Sequence, residues 1–200
     1  MKLNKKSIID IAIIILIAAI AIFFIWSIFK DSGNQTTIKK SQTLQDENFQ
    51  PKIQQEIQKI APELNKVTEK GQVVTSEGKP VKNDVIPGSD EAPQQSKPIK
   101  NLEQLPNQAI KLIITEKGFN PLSFEVKANQ VVNLIVTSGD SWVHVFKFKD
   151  LSLSAVAIGV SKGETRAIVF NAPQKPGEYA FYCDVPGHEN RGEKGKMIVK

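Results

Sequence analysis

Cys183, His144 and His188 are the only thiol and imidazole groups in this 200-residue chain. Cys183 ends the run Tyr179-Ala-Phe-Tyr-Cys, and Val185-Pro186-Gly187 forms a turn able to bring His188 back beside it. His144 lies 39 residues before the cysteine, in Trp142-Val-His-Val-Phe146. If these two segments pair, one thiolate and two imidazoles converge. That is the donor set of electron-transfer copper, because thiolate and imidazole suit both Cu(I) and Cu(II). The same scarcity excludes other chemistry. A single thiol closes no internal disulfide, and three such donors cannot complete a four-ligand Cys/His zinc site. Taken singly, a histidine in a strand reads as a core or edge residue and a lone cysteine as a small buried hydrophobe; the spacing in combination points to a metal. Cys183 as nucleophile with His188 as base lacks an orienting carboxylate and an oxyanion motif, so no enzyme is expected.

The elements that must position these groups lie in the last 94 residues. Ala109–Thr115, Leu122–Ala128, Val131–Thr137, Trp142–Lys149, Glu164–Phe170, Glu178–Cys183 and Gly195–Val199 are short, apolar and rich in branched or aromatic residues. Turn residues separate them: Gly118, Asn120-Pro121, Asn129, Ser138-Gly139-Asp140, Lys162-Gly163 and Pro176-Gly177. Many short strands at near-regular spacing predict an all-β sandwich or small barrel over residues 107–200. Ser152–Val160 is ambiguous between strand and helix.

Two further regions precede this domain. Ile8 to Phe29 is an apolar run of 22 residues, long enough as a helix to cross the roughly 30 Å hydrocarbon core of a bilayer. It is longer than the apolar core of a cleaved signal peptide and offers no small-residue cleavage site. Lys2, Lys5 and Lys6 precede it, so the positive-inside rule puts the N-terminus in the cytoplasm and the rest of the chain outside. Residues 1–30 are therefore expected as one N-terminal transmembrane signal anchor, single-pass in the cytoplasmic membrane. Residues 31–106 contain seven of the eleven prolines among Gln, Lys, Glu, Asn and Ser, a composition expected as a largely disordered, flexible linker. Within it, the spacing of Phe49, Ile53, Ile57, Ile60, Leu64 and Val67 suggests a short helix near 49–61, with Pro51 tolerable in its first turn and Pro62 limiting its length.

Charge adds little. The net +5 arises from a dispersed excess of lysine, with no basic stripe interleaved by aromatics, so nucleic acid is not an expected partner.

The C-terminal domain resembles the cupredoxins, the plastocyanin and azurin type of single-copper domain. The resemblance rests on Phe119-Asn-Pro121, on His144 after Gly139-Asp140, and on Pro176-Gly177-Glu178-Tyr179 leading to Phe181-Tyr182-Cys183, four residues and His188, with Gly192 and Gly195 closing the motif. It implies a Greek-key β-sandwich, one copper ion cycling between Cu(I) and Cu(II), and His144, Cys183 and His188 as its ligands. It also implies that electrons enter at the edge of the C-terminal histidine. One position departs from the family pattern. Where an axial methionine is usual this chain carries Glu193, with Met197 four residues further on. The axial ligand is thus Glu193, Met197 after a register shift, or an open or carbonyl-ligated position. A carboxylate is a harder donor than a thioether and lowers the reduction potential. A binuclear copper centre is excluded, since it requires a second cysteine.

The expected function is a membrane-tethered mononuclear copper protein that carries single electrons between redox proteins on the periplasmic or extracellular side. The alternative is a copper-binding storage, trafficking or sensing module with a low-potential, carboxylate-containing site.

Overall fold

The computed structural model describes residues 50–200. Nine strands build the sandwich: β3 (Ile110–Thr115), β4 (Gly118–Asn120), β5 (Ser123–Val126), β6 (Val131–Ser138), β7 (His144–Phe148), β8 (Ala157–Val160), β9 (Thr165–Asn171), β10 (Gly177–Cys183) and β11 (Lys194–Val199). They form one sheet in the order β5-β11-β10-β7-β8 and a second in the order β4-β3-β6-β9. The pairs β5/β11 and β3/β6 are parallel; the other pairs in these sheets are antiparallel.

Side-chain alternation explains how each strand contributes to the core. In β7, His144, Phe146 and Phe148 are buried while Val145 and Lys147 are only partly so. Alternate residues of β10 (Tyr179, Phe181, Cys183) turn inward in the same way. The inward rings meet edge to face: Phe119 packs on Phe181 with centroids 5.0 Å apart, and Phe146 on Phe148 at 5.1 Å. Tyr179 reaches back to donate its hydroxyl to the Lys175 carbonyl at 2.8 Å. The ambiguous stretch 152–160 resolves into a short 3-10 turn at Leu151–Leu153 followed by strand β8. Asp150 caps that turn by accepting from the Ser152 N–H.

Strand β6 breaks the alternation: Val131 to Val136 are all buried. Val132, Leu134 and Val136 face the sandwich interior, whereas Val131 and Ile135 belong to a second cluster on the outer face. This cluster corrects the flexible linker expected over residues 31–106, in its described part. Helix α1 (Gln50–Ile60) and the two-stranded hairpin of β1 (Lys66–Val67) and β2 (Val73–Val74) lie there. Ile53, Ile57, Ala61, Leu64, Val73 and Ile99 are buried with Val131, Ile135, Ala167 and Val169. The first two stand one helical turn apart, on the same face of α1.

Hydrogen bonds fix this layer in place. Ser96 and Ile99 donate their N–H groups to the Ala167 and Thr165 carbonyls, each at 2.8 Å, so the chain runs along the free edge of β9. Asn171 accepts from the Val73 N–H and donates to the Gly71 carbonyl, both at 2.9 Å. The composition suggested disorder because its apolar residues are few. Those few are spaced to cover a sheet face that would otherwise expose Val131, Ile135, Ala167 and Val169 to water. The ordered unit thus begins well before residue 107. Among the described residues no helix is long and apolar enough to cross a membrane; the apolar run Ile8–Phe29, expected as the transmembrane anchor, lies outside them.

Candidate metal centre

His144 opens β7 and Cys183 ends β10, and these strands are adjacent, with Cys183 opposite Phe146. The sandwich therefore sets the histidine and cysteine near each other at one strand end. The loop after Cys183 completes the approach. The His188 N–H returns to the Val185 carbonyl at 3.0 Å, with Gly187 at φ +83°, a conformation that favours glycine. A 3-10 turn at Glu189–Arg191 ends on Gly192 at φ +103°, and the Cys183 N–H then bonds to the Glu193 carbonyl at 3.0 Å. The backbone thereby carries Glu193 back alongside Cys183.

Four side chains converge: His144, Cys183, His188 and Glu193, all buried, with one potential ligand atom from each lying within 4.8 Å of the others. Cys183 Sγ is 3.5 Å from His188 Nδ1 and 3.9 Å from His144 Nδ1. Glu193 Oε2 is 2.9 Å from His144 Nδ1 and 3.0 Å from His188 Nδ1. Met197 is fully buried in the sandwich core, opposite Tyr179 on one side and Phe124 on the other.

Two groups that sequence reasoning left outside the site support it. Asp140 Oδ1 lies 3.0 Å from His144 Nε2. Asp140 also holds its own loop, accepting from the Trp142 N–H at 2.8 Å and the Glu116 N–H at 2.6 Å. Its expected role in a turn is real, and no spacing rule for a turn that leads into a strand signals the second role. Arg191 donates to Glu193 Oε1 at 2.7 Å; nothing in the local pattern singles it out from the other surface cations.

Electrostatics test whether a cation fits. The Asp140 carboxylate is an acceptor for a proton on Nε2 of His144, and a ring that ligates through Nδ1 turns that lone pair inward. There it meets a carboxylate oxygen, which is also an acceptor. A shared cation satisfies both. Burial pushes the Cys183 thiol up to about 11, with Val145 and Val185 backbone bonds opposing and Glu193 reinforcing. A metal ion that binds the thiolate displaces that proton. For Glu193, burial acts upward, but in the metal-free site, where a proton lies between it and His144, the hydrogen bonds with His144, Cys183 and Arg191 outweigh burial and hold the carboxyl below its ordinary value. Asp140 is likewise held low: His144 and the Trp142 and Glu116 N–H groups outweigh burial. Two acidic donors and two imidazoles in a dry site are suited to one divalent or monovalent transition ion, and the thiolate with two imidazoles favours copper.

A family model described as a cupredoxin-like domain matches residues 94–199. No curated protein matches the chain. Among solved structures it is similar to dithionite-reduced auracyanin from Roseiflexus castenholzii, at 19% identity over 47% of this chain and 98% of that one, with a TM-score of 0.42. Auracyanin A, a blue copper protein from Chloroflexus aurantiacus, aligns at 22% identity over 46% of this chain and 98% of its own, with a TM-score of 0.38. Amicyanin from Paracoccus versutus aligns at 23% over 52% and 92%, also at 0.38. The His, Cys, His and Glu cluster within a domain of this kind is consistent with a single copper ion.

Proposed function

Since the chain belongs to the cupredoxin-like domain family, we propose that it carries single electrons between redox proteins outside the cytoplasmic membrane, held there by its N-terminal apolar run. The observation that carries this reading is the buried convergence of His144, Cys183, His188 and Glu193 on one point. His144, Cys183 and His188 are assigned as the principal ligands, with Glu193 rather than Met197 as the fourth. Bound copper supplies reversible one-electron chemistry between Cu(I) and Cu(II).

The protein's own residues do the rest. Asp140 fixes the ring of His144, and the Val145 N–H donates to Cys183 Sγ at 3.3 Å, restraining the sulfur. The donors from β7 and β10 sit on paired strands, so they move little when the charge at the site changes. His144 is fully enclosed, while His188 retains about 7% of its surface. Trp142 and Val143, which precede His144 in the chain, are about half exposed, and the Trp142 ring meets that of His188 edge-on at 6.5 Å. Electrons therefore enter and leave past His188, over an apolar rim that a redox partner can cover.

A second reading, copper storage, trafficking or sensing, is supported by Glu193. Its carboxylate lies closer to both imidazole Nδ1 atoms than Cys183 Sγ does, and a hard donor favours Cu(II) over Cu(I). One experiment separates the readings. The full-length chain is loaded with Cu(II) and its visible absorption, electron paramagnetic resonance and voltammetry are recorded. A thiolate-to-copper band that Cys183→Ser abolishes, with fast reversible voltammetry, supports the carrier; the band with sluggish reduction supports storage or sensing; absence of the band overturns the copper assignment. For the anchor, the expected result is a chain that stays with membranes through a high-salt wash and is digested by protease only from outside. A mature N-terminus within residues 25–35 refutes it.

A further inference from the structure

Glu193 presents its two oxygens to different surroundings. Oε2 faces the Nδ1 atoms of His144 and His188, while Oε1 accepts from Arg191 at 2.7 Å. The carboxylate is fully buried, whereas 37% of the arginine side chain is exposed. Arg191 is held on its other side as well, since its guanidinium lies 5.6 Å from the centroid of the Trp142 ring. Its backbone N–H returns to the His188 carbonyl at 3.0 Å. The same short turn thus carries His188, the cation and the carboxylate.

We propose that Arg191 is a positioning residue that confines Glu193 to a one-oxygen approach to the metal and weakens it as a donor, thereby raising the potential of the site; this rests on Glu193 being a ligand. A carboxylate has two oxygens and can bind a metal through one or both. With Oε1 engaged by a charge-assisted hydrogen bond, only Oε2 is directed to the donor cluster. Charge acts in the same direction. A thiolate and a carboxylate neutralise Cu(II) but leave the Cu(I) site with one negative charge in a buried setting. The guanidinium opposes that charge and so favours the reduced state. Removing it frees the second oxygen, strengthens the donor and leaves the reduced site uncompensated, and each of these effects lowers the potential. Lysine retains the charge but not the planar fork or the stacking on Trp142, so it retains only part of the effect.

The test measures the midpoint potential and paramagnetic resonance spectrum of the copper-loaded full-length chain, with circular dichroism of each metal-free variant reporting its fold. Arg191→Leu is expected to favour Cu(II) over Cu(I) by about tenfold or more, a fall of about 59 mV for one electron. Arg191→Lys is expected to fall by less. Lys147→Met, which removes a cation paired with Asp184 instead, is expected to shift the potential far less than Arg191→Leu. In a Glu193→Gln background the loss of Arg191 has a reduced effect, as a coupled pair requires. If Glu193→Gln changes spectrum and potential while Arg191→Leu changes neither, the positioning role is overturned and Glu193 remains a ligand. The role is also overturned if Lys147→Met matches the effect of Arg191→Leu. If Glu193→Gln changes nothing, the ligand assignment itself falls, and the inference falls with it.

Discussion

The outer layer formed by residues 50–105 gives the sharpest quantitative test of the fold. Ile57 on α1 is 1% exposed and packs in a cluster with Ile53, Leu64, Val73, Ile135 and Val169. Truncating it to alanine removes three carbons from a site whose other members are fixed by the sheet, so the space closes only in part. Such substitutions cost about 2–5 kcal/mol. In an unpacked linker the same change falls within about 0.5 kcal/mol. For a domain of about 150 residues each kcal/mol is worth about 2–4 °C, so the expected loss in melting temperature is roughly 4–20 °C. Ile86→Ala is the matched control, since Ile86 lies in the same stretch and is 78% exposed. Both variants are made in the full-length chain and unfolded in urea without metal, followed by circular dichroism. Equal midpoints for the two variants, both near that of the parent, would refute the packed layer. The copper-bound spectrum of Ile57→Ala should match that of the parent, because Cys183 belongs to the other, interior cluster.

Three further outcomes follow from single side chains. Asp140→Asn disturbs the acceptor that orients His144, and loss of such a partner costs about 10–100-fold in metal affinity; competition with a chelator of known affinity measures it, and an unchanged affinity counts against the role. Gly195→Ala is expected to destabilise by about 1–3 kcal/mol or more, because an added Cβ runs into the Leu122 carbonyl and the Phe181 ring; urea midpoints read the loss. Asp150 is held below its ordinary value by hydrogen bonds from the Ser152 hydroxyl and N–H. Its contribution to stability is therefore present above the unfolded value near 3.9 and lost as pH falls through the lower folded value. Urea midpoints measured between about pH 5 and 2 should fall less steeply for Asp150→Asn than for the parent.

The convergence of His144, Cys183, His188 and Glu193 was partly legible in the sequence. Cys183 and His188 are separated by a short loop whose proline and glycine report its turn, so their proximity is a local property. His144 was within reach of inference because Phe146 and Phe148 alternate with it on one strand and commit that face to the core. The strands β4 and β8 were harder to read: β4 has three residues, and β8 follows a 3-10 turn whose serines mask its periodicity. The layer over β6 left one trace. Val131 and Ile135 are apolar where a solvent-facing side would be polar, which signals that something covers them.

Sequence alone determined the donor inventory, since one thiol and two imidazoles leave a single possible set of that kind. It also placed a carboxylate, Glu193, where the family pattern carries a thioether. Only the tertiary structure decided what those groups face. Asp140 and Arg191 stand only four and two residues from their partners, yet it is the folding of their loops that turns the first onto Nε2 of His144 and the second onto one oxygen of Glu193. Likewise, the low-hydrophobicity stretch became a third layer only because β6 and β9 offered it an apolar face. For that layer the physical reason is general. Composition sets how much apolar surface and charge a segment carries, but the free energy of ordering it depends on the surface it meets, and that surface is assembled from residues far away in the chain.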